Sequence, residues 1–376
     1  MNLSRIKRWI LLGHRWLGIG TCLLFFLWFL SGVVMMYVGH PKLTWQERLE
    51  HLPPLEASQH LLSPADAFQR AGIQGTVTDL RLANARAGQP VYIARIRPDT
   101  RPAPDAPQPD PRLVALNART GALLPPTDPA TALASAQVYL EQGGLSHPSS
   151  SGAPPSTNPR QPSPATAQDT PGKPLYQGIT VEDAHTHSKA MDLHRPLHKV
   201  LLPDAEQTLL YISGTTGEVV RDAPRLERGF NYLGAWLHWL YLFRDTAIDW
   251  TDLIIWLSVI GTVATLSGFL SGIIRWRFSR PYRSGSRSPF APGALRWHHI
   301  LGLVFALTTF TWIFSGLMSM NPWDIFEADE SIIDARRISN PDIQPSRAIA
   351  TPQALLASTT TPVRELQWHT LLDKAR

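Results

Sequence analysis

Cysteine is almost absent from the sequence: Cys22 is the only one among 376 residues. A single thiol cannot form a disulfide within the chain, a CxxC redox pair or a zinc site built from thiolates. The short motifs of nucleotide binding, serine hydrolysis and zinc proteolysis (GxGxxG, the P-loop, GxSxG and HExxH) are missing as well. Any redox chemistry must therefore use another group, and its electrons must enter from outside the chain.

Charged residues are missing from three long runs. No charge occurs in 16–38, in 253–274 or in 300–320, and each run has the roughly 20 apolar residues with which a helix crosses a bilayer. The first run is too long for the apolar part of a signal peptide, and no small-x-small cleavage site follows it. We predict an integral membrane α-helical bundle with three spans, at 16–38, 253–274 and 298–320.

Two of these apolar runs are copies of one another. The stretch from His14 to Met36 returns 284 residues later from His298 to Met320, with glycine, tryptophan and serine at matching positions. Internal repeats of this kind mark duplicated structural units. The repeat puts His14 and His298 at the same end of two equivalent helices, and function is expected there.

Acidic residues are missing from 275–297, which contains six arginines. Basic clusters also bind nucleic acid, but these arginines lie beside predicted spans, where the preference of Lys and Arg for the cytoplasmic side explains them. We therefore expect the lipid bilayer as partner and no nucleic acid. Residues 1–15 and 275–297 are predicted to be cytoplasmic, and 39–228 and 321–376 periplasmic, in a multi-pass protein of the bacterial inner membrane.

Residues 39–228 have the mixed pattern of an α+β domain. Two Pro-rich segments without periodicity, 98–112 and 147–174, are predicted to be disordered loops because they cannot bury enough apolar surface. The aromatic segment 229–244 is too short to span a bilayer and is predicted to be an interfacial helix. The remaining predicted elements are a helix over 64–70, strands over 77–82 and 90–96, a strand pair over 113–124, a helix over 129–142 and a hairpin over 208–221.

The tail, 321–376, resembles the start of this domain. Thr351-Pro352 matches Ser63-Pro64, and the stretch 363–368 matches 77–82. The second copy stops at Arg376, so we predict a partial second repeat unit. Because an isolated strand cannot satisfy its backbone groups, the tail is expected to add an edge strand to the first unit, with 339–350 poorly ordered before it.

Several segments together resemble a known family. These are SGVVMMY at the end of the first span, HRPLHKVLL, TGEVVRD and ERGFNYLGAWLHWLYLF. They are similar to the PepSY-associated transmembrane proteins, and most of all to inner-membrane ferric-siderophore reductases of the FoxB type. The resemblance implies a PepSY-like periplasmic domain, two b-type haems, and reduction of siderophore-bound ferric iron on the periplasmic side.

The thirteen histidines suit imidazole ligation, and His14 and His298 are the first candidates. A b-type haem needs an apolar slot between helices and one imidazole on each face of the iron. The repeat predicts equal depth for these two histidines, and Gly18 and Gly302, one turn deeper, would leave room for a porphyrin edge. The alternative is a pair of interfacial histidines reaching water. His299 is a second choice, because spacing does not decide between neighbours.

A second site is predicted around His238, which lies among aromatic residues. Its partner could be His198, His194 or His40. Pro196 argues against a regular helix that would place His194 and His198 on one face. Arg195 and Lys199 lie near these histidines in the sequence. Their positive charges could attract an anionic ferric chelate, or they could be ordinary solvated surface charges.

Two functional hypotheses follow. The first is a di-haem transmembrane electron-transfer protein that reduces ferric iron, siderophore-bound or in another chelate, in the periplasm, with a quinol or a cytoplasmic reductase as electron donor. The alternative is a non-enzymatic, membrane-anchored PepSY module that binds or regulates a periplasmic protein or peptidase. Loss of a bound cofactor on histidine substitution distinguishes them.

Overall fold

The computed structural model describes residues 3–98, 111–146, 172–325, 343–348, 350–371 and 374–375. Contacts divide the chain into two compact units. The membrane unit comprises 1–39 and 230–330, and the α/β unit comprises 40–229 and 331–376. Each unit is therefore built from two separate parts of the chain.

The helices of the described residues are α1 (Leu3–Tyr37), α2 (Trp45–Glu50), α3 (Pro64–Ala71), α4 (Pro129–Ser146), α5 (Arg225–Asn231), α6 (Trp250–Arg275), α7 (Ala294–Val304), α8 (Ala306–Ser319) and α9 (Pro352–Ala357). The strands are β1 (Thr76–Arg86), β2 (Gln89–Arg97), β3 (Arg112–Asn117), β4 (Leu175–Thr180), β5 (Leu197–Leu201), β6 (Leu209–Ser213), β7 (Val219–Ala223), β8 (Glu365–Trp368), β9 (Thr370–Leu371) and β10 (Lys374–Ala375).

The membrane unit contains two helices, α1 and α6, that are long and apolar enough to cross a bilayer. Asp249 caps the start of α6 by accepting hydrogen bonds from the backbone N–H groups of Thr251 and Asp252. The predicted third span is not one straight helix, because α7 and α8 bend by 66°. The break falls at Phe305, whose φ of −98° and ψ of 4° leave the helical region.

The predicted interfacial helix over 229–244 is also broken. α5 passes into a π-helical turn over Tyr232–Trp236, and a 3₁₀ turn follows at Tyr241–Phe243. A π turn widens the helix by one residue and often occurs at functional positions. Here it ends two residues before His238.

The α/β unit contains two four-stranded antiparallel sheets, in the orders β3-β2-β1-β8 and β4-β5-β6-β7. α3, capped by Ser63 and with Pro64 at its start, packs Ala67 and Phe68 against the first sheet. α4 packs Ala132, Ala136 and Tyr139 against the second. The predicted helices, the strands predicted over 77–82 and 90–96 and the hairpin over 208–221 are therefore present with bounds shifted by up to four residues. Of the strand pair predicted over 113–124, the structure has the strand β3 and an isolated bridge between Leu116 and Leu123.

The tail adds an edge strand to the first sheet, as predicted: β8 pairs antiparallel with β1. Equivalent residues of the two copies are 286 positions apart here. When the two copies are exchanged, the pair Leu80↔Trp368 becomes the pair Leu82↔Leu366, and Arg81 pairs with its own equivalent, Gln367. The two strands are thus related by an internal two-fold axis. α9 repeats the start of α3, since Thr351 accepts a hydrogen bond from the backbone N–H of Ala354.

Two predictions of disorder, the loops 98–112 and 147–174, fall largely on residues outside the described ranges. Of the third segment, 339–350, the structure describes 343–348 and 350, and the first of these is Ile343. It bridges Val77 and is buried, so the expectation of poor order was wrong at that residue.

Candidate functional site

His14 on α1 and His298 on α7 face each other in the membrane unit. Their ring centres are 6.3 Å apart and their planes differ by 17°. The structure therefore brings the two repeat-equivalent histidines close together. His14 is half-buried and His298 is exposed.

Hydrogen bonding fixes which nitrogen of His14 is available. Its Nδ1 lies 3.2 Å from the backbone carbonyl oxygen of Ala264 on α6. A carbonyl only accepts, so Nδ1 donates and the lone pair remains on Nε2. A backbone acceptor on the remote nitrogen is the usual arrangement of a metal-binding histidine.

A glycine makes room for this ring. A Cβ at Gly268 would lie 2.7 Å from Cε1 of His14, which is closer than such atoms approach. One turn further along α1 and α7, a Cβ at Gly18 or Gly302 would meet nothing within 4 Å. The sequence pointed to Gly18 and Gly302, but Gly268 was missed because no pattern links α6 to the histidines.

His299, the second choice on sequence grounds, has a different role. Its Nε2 donates to the carbonyl of Gly272 at 3.0 Å, and its Nδ1 accepts from the Ser288 hydroxyl at 2.8 Å. The side chain is only 6% exposed. Since both nitrogens are used to hold the arginine-rich loop against α6, we correct the assignment and leave His299 out of the ligand set.

His238 lines a cleft in the membrane unit with an empty volume of about 760 Å³, part of it open to the surroundings. The walls come from α1, α6 and α8 and are mostly aromatic and aliphatic. Trp28 is one of them, and its buried Nε1–H has no hydrogen-bond partner among the described residues. An apolar cleft with one imidazole and one orphaned donor has the composition of a ligand site.

The predicted partners of His238 belong to the α/β unit. His198 is 2% exposed, donates from Nε2 to the carbonyl of Thr127 at 2.9 Å and accepts at Nδ1 from Tyr176 at 2.8 Å. Both of its nitrogens are engaged, so His198 is corrected to a structural residue. Nδ1 of His194 lies 3.1 Å from the Ser213 hydroxyl, and His40 is half-buried at the start of the unit.

The two cations predicted to attract substrate are engaged within the protein. Arg195 pairs with Asp192 at 3.0 Å and donates to the carbonyls of Val181 and Thr186. Lys199 lies 3.7 Å from Asp183. Their charges are partly neutralised, and the structure gives no support to a substrate-attracting role.

A buried ionic network in the α/β unit was not predicted. Arg48 forms a bidentate pair with Glu365 at 2.6 and 2.8 Å, and Arg81 pairs with Glu218 at 2.6 Å and approaches Glu365 at 3.6 Å. Burial by itself would raise the pKa of Glu218, but the charge and hydrogen bond of Arg81, together with His194 and Arg48, hold that pKa below its usual range. Burial is also the main reason that the pKa of the neighbouring His194 is lowered. The network joins β8 of the tail to both sheets.

Two helices able to cross a bilayer, a bent helix pair and an antiparallel α/β unit define a multi-span membrane protein with an added α/β unit. More particularly, the chain belongs to the family of the PepSY-associated TM region, whose model matches residues 11–371. That match establishes the family and not the FoxB type within it. No curated protein matches the chain, and no solved structure matches it.

Proposed function

We propose that this chain is a haem-binding transmembrane electron-transfer protein in which His14 and His298 hold one b-type haem. The observation that carries the proposal is the spacing of these two rings, 6.3 Å between centres. Two bonds of roughly 2 Å from a transition metal to imidazole nitrogen, plus about 1 Å from each nitrogen to its ring centre, put two axial imidazoles about 6 Å apart. The pair thus has the separation of two ligands on one metal.

The donor set favours haem over a bare metal ion. In the part of the chain that the structure describes, no three His, Cys, Asp or Glu side chains converge on one point. A bare ion would need such a cage, whereas a haem supplies its own equatorial nitrogens and needs only axial ligands from the protein. A Cβ at Gly18 or Gly302 would meet nothing within 4 Å, so neither position obstructs a planar macrocycle. When bound, haem iron would supply one-electron transfer.

A second b-type haem is proposed for the cleft at His238. The cleft is lined mostly by apolar side chains, and Trp28, one of them, has a buried Nε1–H without a partner among the described residues. His238 is the ligand proposed for this haem, and His198 is excluded, because it already uses both nitrogens.

The direction of electron flow is proposed from charge. The arginines of 275–297 favour a cytoplasmic location for the end that carries His14 and His298, by the positive-inside rule, and the proposal then puts the α/β unit in the periplasm. An external quinol or cytoplasmic reductase would deliver electrons, and a ferric chelate such as a ferric siderophore would receive them outside. Reduction would release the iron, because ferrous iron binds such chelators less tightly.

An optical experiment tests the proposal. The full chain, expressed with ample haem, is expected to show a reduced-minus-oxidised b-type spectrum with about two haems per chain. His14→Ala and His298→Ala should each remove the same haem, and His238→Ala the other. His60→Ala is the control, because His60 is an exposed residue of the α/β unit.

The wild-type chain without a Soret band would refute the proposal. A spectrum unchanged by all three histidine variants would refute the assigned sites. Either result would favour the non-enzymatic PepSY module, in which the helices only anchor the α/β unit.

A further inference from the structure

We infer that Ser31 is a positioning residue that fixes the tautomer of His238, so that His238 presents the lone pair of Nε2 as a ligand. The inference rests on the proposed function for its purpose, but its geometry stands by itself. Ser31 lies on α1 and is fully buried, with 0% exposure. It belongs to the same unit as His238.

The hydroxyl of Ser31 has one proton, and that proton is already used. Ser31 Oγ donates to the backbone carbonyl of Leu27 at 2.6 Å. Nδ1 of His238 lies 3.1 Å from the same oxygen, so Nδ1 must be the donor and Oγ the acceptor.

A neutral imidazole with its proton on Nδ1 has its lone pair on Nε2. Nε2 is then the only nitrogen of His238 that can bind a metal. The arrangement matches that of His14, whose Nδ1 donates to the carbonyl of Ala264. The two proposed ligands therefore have the same tautomer, set by the backbone at His14 and by a side chain at His238. Only the acceptor at His238 is itself a side chain that a substitution removes directly.

The internal repeat supplies a matched control. Ser315 is the equivalent of Ser31 on α8, but it is exposed, and its hydroxyl donates to the carbonyl of Trp312 within its own helix at 2.9 Å. Each serine hydroxyl donates to a backbone carbonyl one turn earlier in its own helix. Ser31 is the one of the two for which the structure also shows a hydrogen bond to a histidine. A general effect of serine on helix geometry should therefore appear in both Ser31→Ala and Ser315→Ala. An effect on His238 should appear in Ser31→Ala alone.

The first test needs no haem. In the full chain labelled with ¹⁵N-histidine and purified without haem, the nitrogen chemical shifts of His238 should report a proton on Nδ1. The resonance is assigned by its loss in His238→Gln. Ser31→Ala should convert His238 to a mixture containing the Nε2-protonated form, and Ser315→Ala should leave it unchanged. An Nε2 proton in the wild type, or an unaltered tautomer in Ser31→Ala, would overturn the inference.

The second test uses the haem-loaded chain. Loss of an outer-shell hydrogen bond to a ligand typically weakens metal binding roughly 10- to 100-fold, so Ser31→Ala should weaken the His238 haem by that factor and shift its iron–histidine stretching frequency. Ser31→Thr, which retains the hydroxyl, should restore both, and Ser315→Ala should match the wild type.

The two tests separate the inference from the proposed function. A wild-type chain that binds no haem at His238 would refute the proposed second site, while the nitrogen shifts still decide the role of Ser31. A His238 haem that is lost in His238→Ala but bound normally in Ser31→Ala would overturn the inference and leave the proposed function standing.

Discussion

His298 and His299 show that the position of a histidine in the sequence does not determine its role. His298 and His299 are neighbours on α7, yet one faces His14 and the other is held between Ser288 and Gly272. Successive side chains of a helix point about 100° apart, so the choice depends on what the loop and α6 place on each side. The repeat identified His298, and only the fold identifies the role of His299.

Gly268 offers a test at the same scale. Gly268→Ala should displace the His14 ring, because the new Cβ would lie 2.7 Å from its Cε1, and should break the bond to Ala264. Alanine favours a helix over glycine by about 1 kcal/mol, so weaker helix formation would not explain a loss. We expect at least a tenfold weaker haem at His14, measured by titration of the haem-free chain.

The control for Gly268→Ala is Gly13→Ala. Gly13 precedes His14 on α1, and a Cβ there meets nothing within 4 Å. Equal haem affinity in the two variants would contradict the packing role given to Gly268.

At the scale of elements, hydrophobic runs and repeats predicted most of the fold. The length of α6, the caps of α3 and α9, and the addition of β8 to β1 all follow from local signals or from the repeat. The bend at Phe305 does not, because neither proline nor glycine stands at the break, and these residues are the usual causes of a kink. The partners of His198 were also hidden, since Thr127 lies 71 residues away along the chain.

The prediction at the scale of elements concerns Glu365 on the tail strand β8. Glu365 is the counter-charge of Arg48 and Arg81, and its side chain is 7% exposed. Glu365→Ala would leave two arginines largely buried without that partner, and removal of one member of a buried ion pair costs about 3 to 5 kcal/mol. We expect a fall of that order in the free energy of unfolding of the α/β unit, measured by denaturant titration.

Glu56→Ala serves as the control for Glu365→Ala. Glu56 is exposed and accepts a hydrogen bond from Ser58, so its removal should change stability by less than about 0.5 kcal/mol. A similar small change in Glu365→Ala would mean that solvent replaces the missing carboxylate and that β8 is not held by the network.

At the scale of the whole molecule, the internal repeat appears in both units. In the membrane unit it places His14 opposite His298, and in the α/β unit it pairs β1 with β8 about Arg81 and Gln367. In each unit, the equivalent parts of the two halves meet one another. Duplicated chains that associate around a two-fold axis produce this pattern. The haem proposed at His14 and His298 would thus be shared by the two halves.

The sidedness of the chain decides which way the proposed electron path runs, and it can be measured directly. In a Cys22→Ser background the chain has no thiol, so one new cysteine reports one position. Ser58→Cys lies in the α/β unit and Ser284→Cys in the arginine-rich loop. Both sites are exposed, and both substitutions leave the charges unchanged. Because Lys and Arg favour the cytoplasmic side, an impermeant maleimide should label Ser58→Cys in intact spheroplasts and Ser284→Cys only after lysis. The reverse pattern would put the α/β unit in the cytoplasm and exclude reduction of a periplasmic chelate there, whatever the haem content.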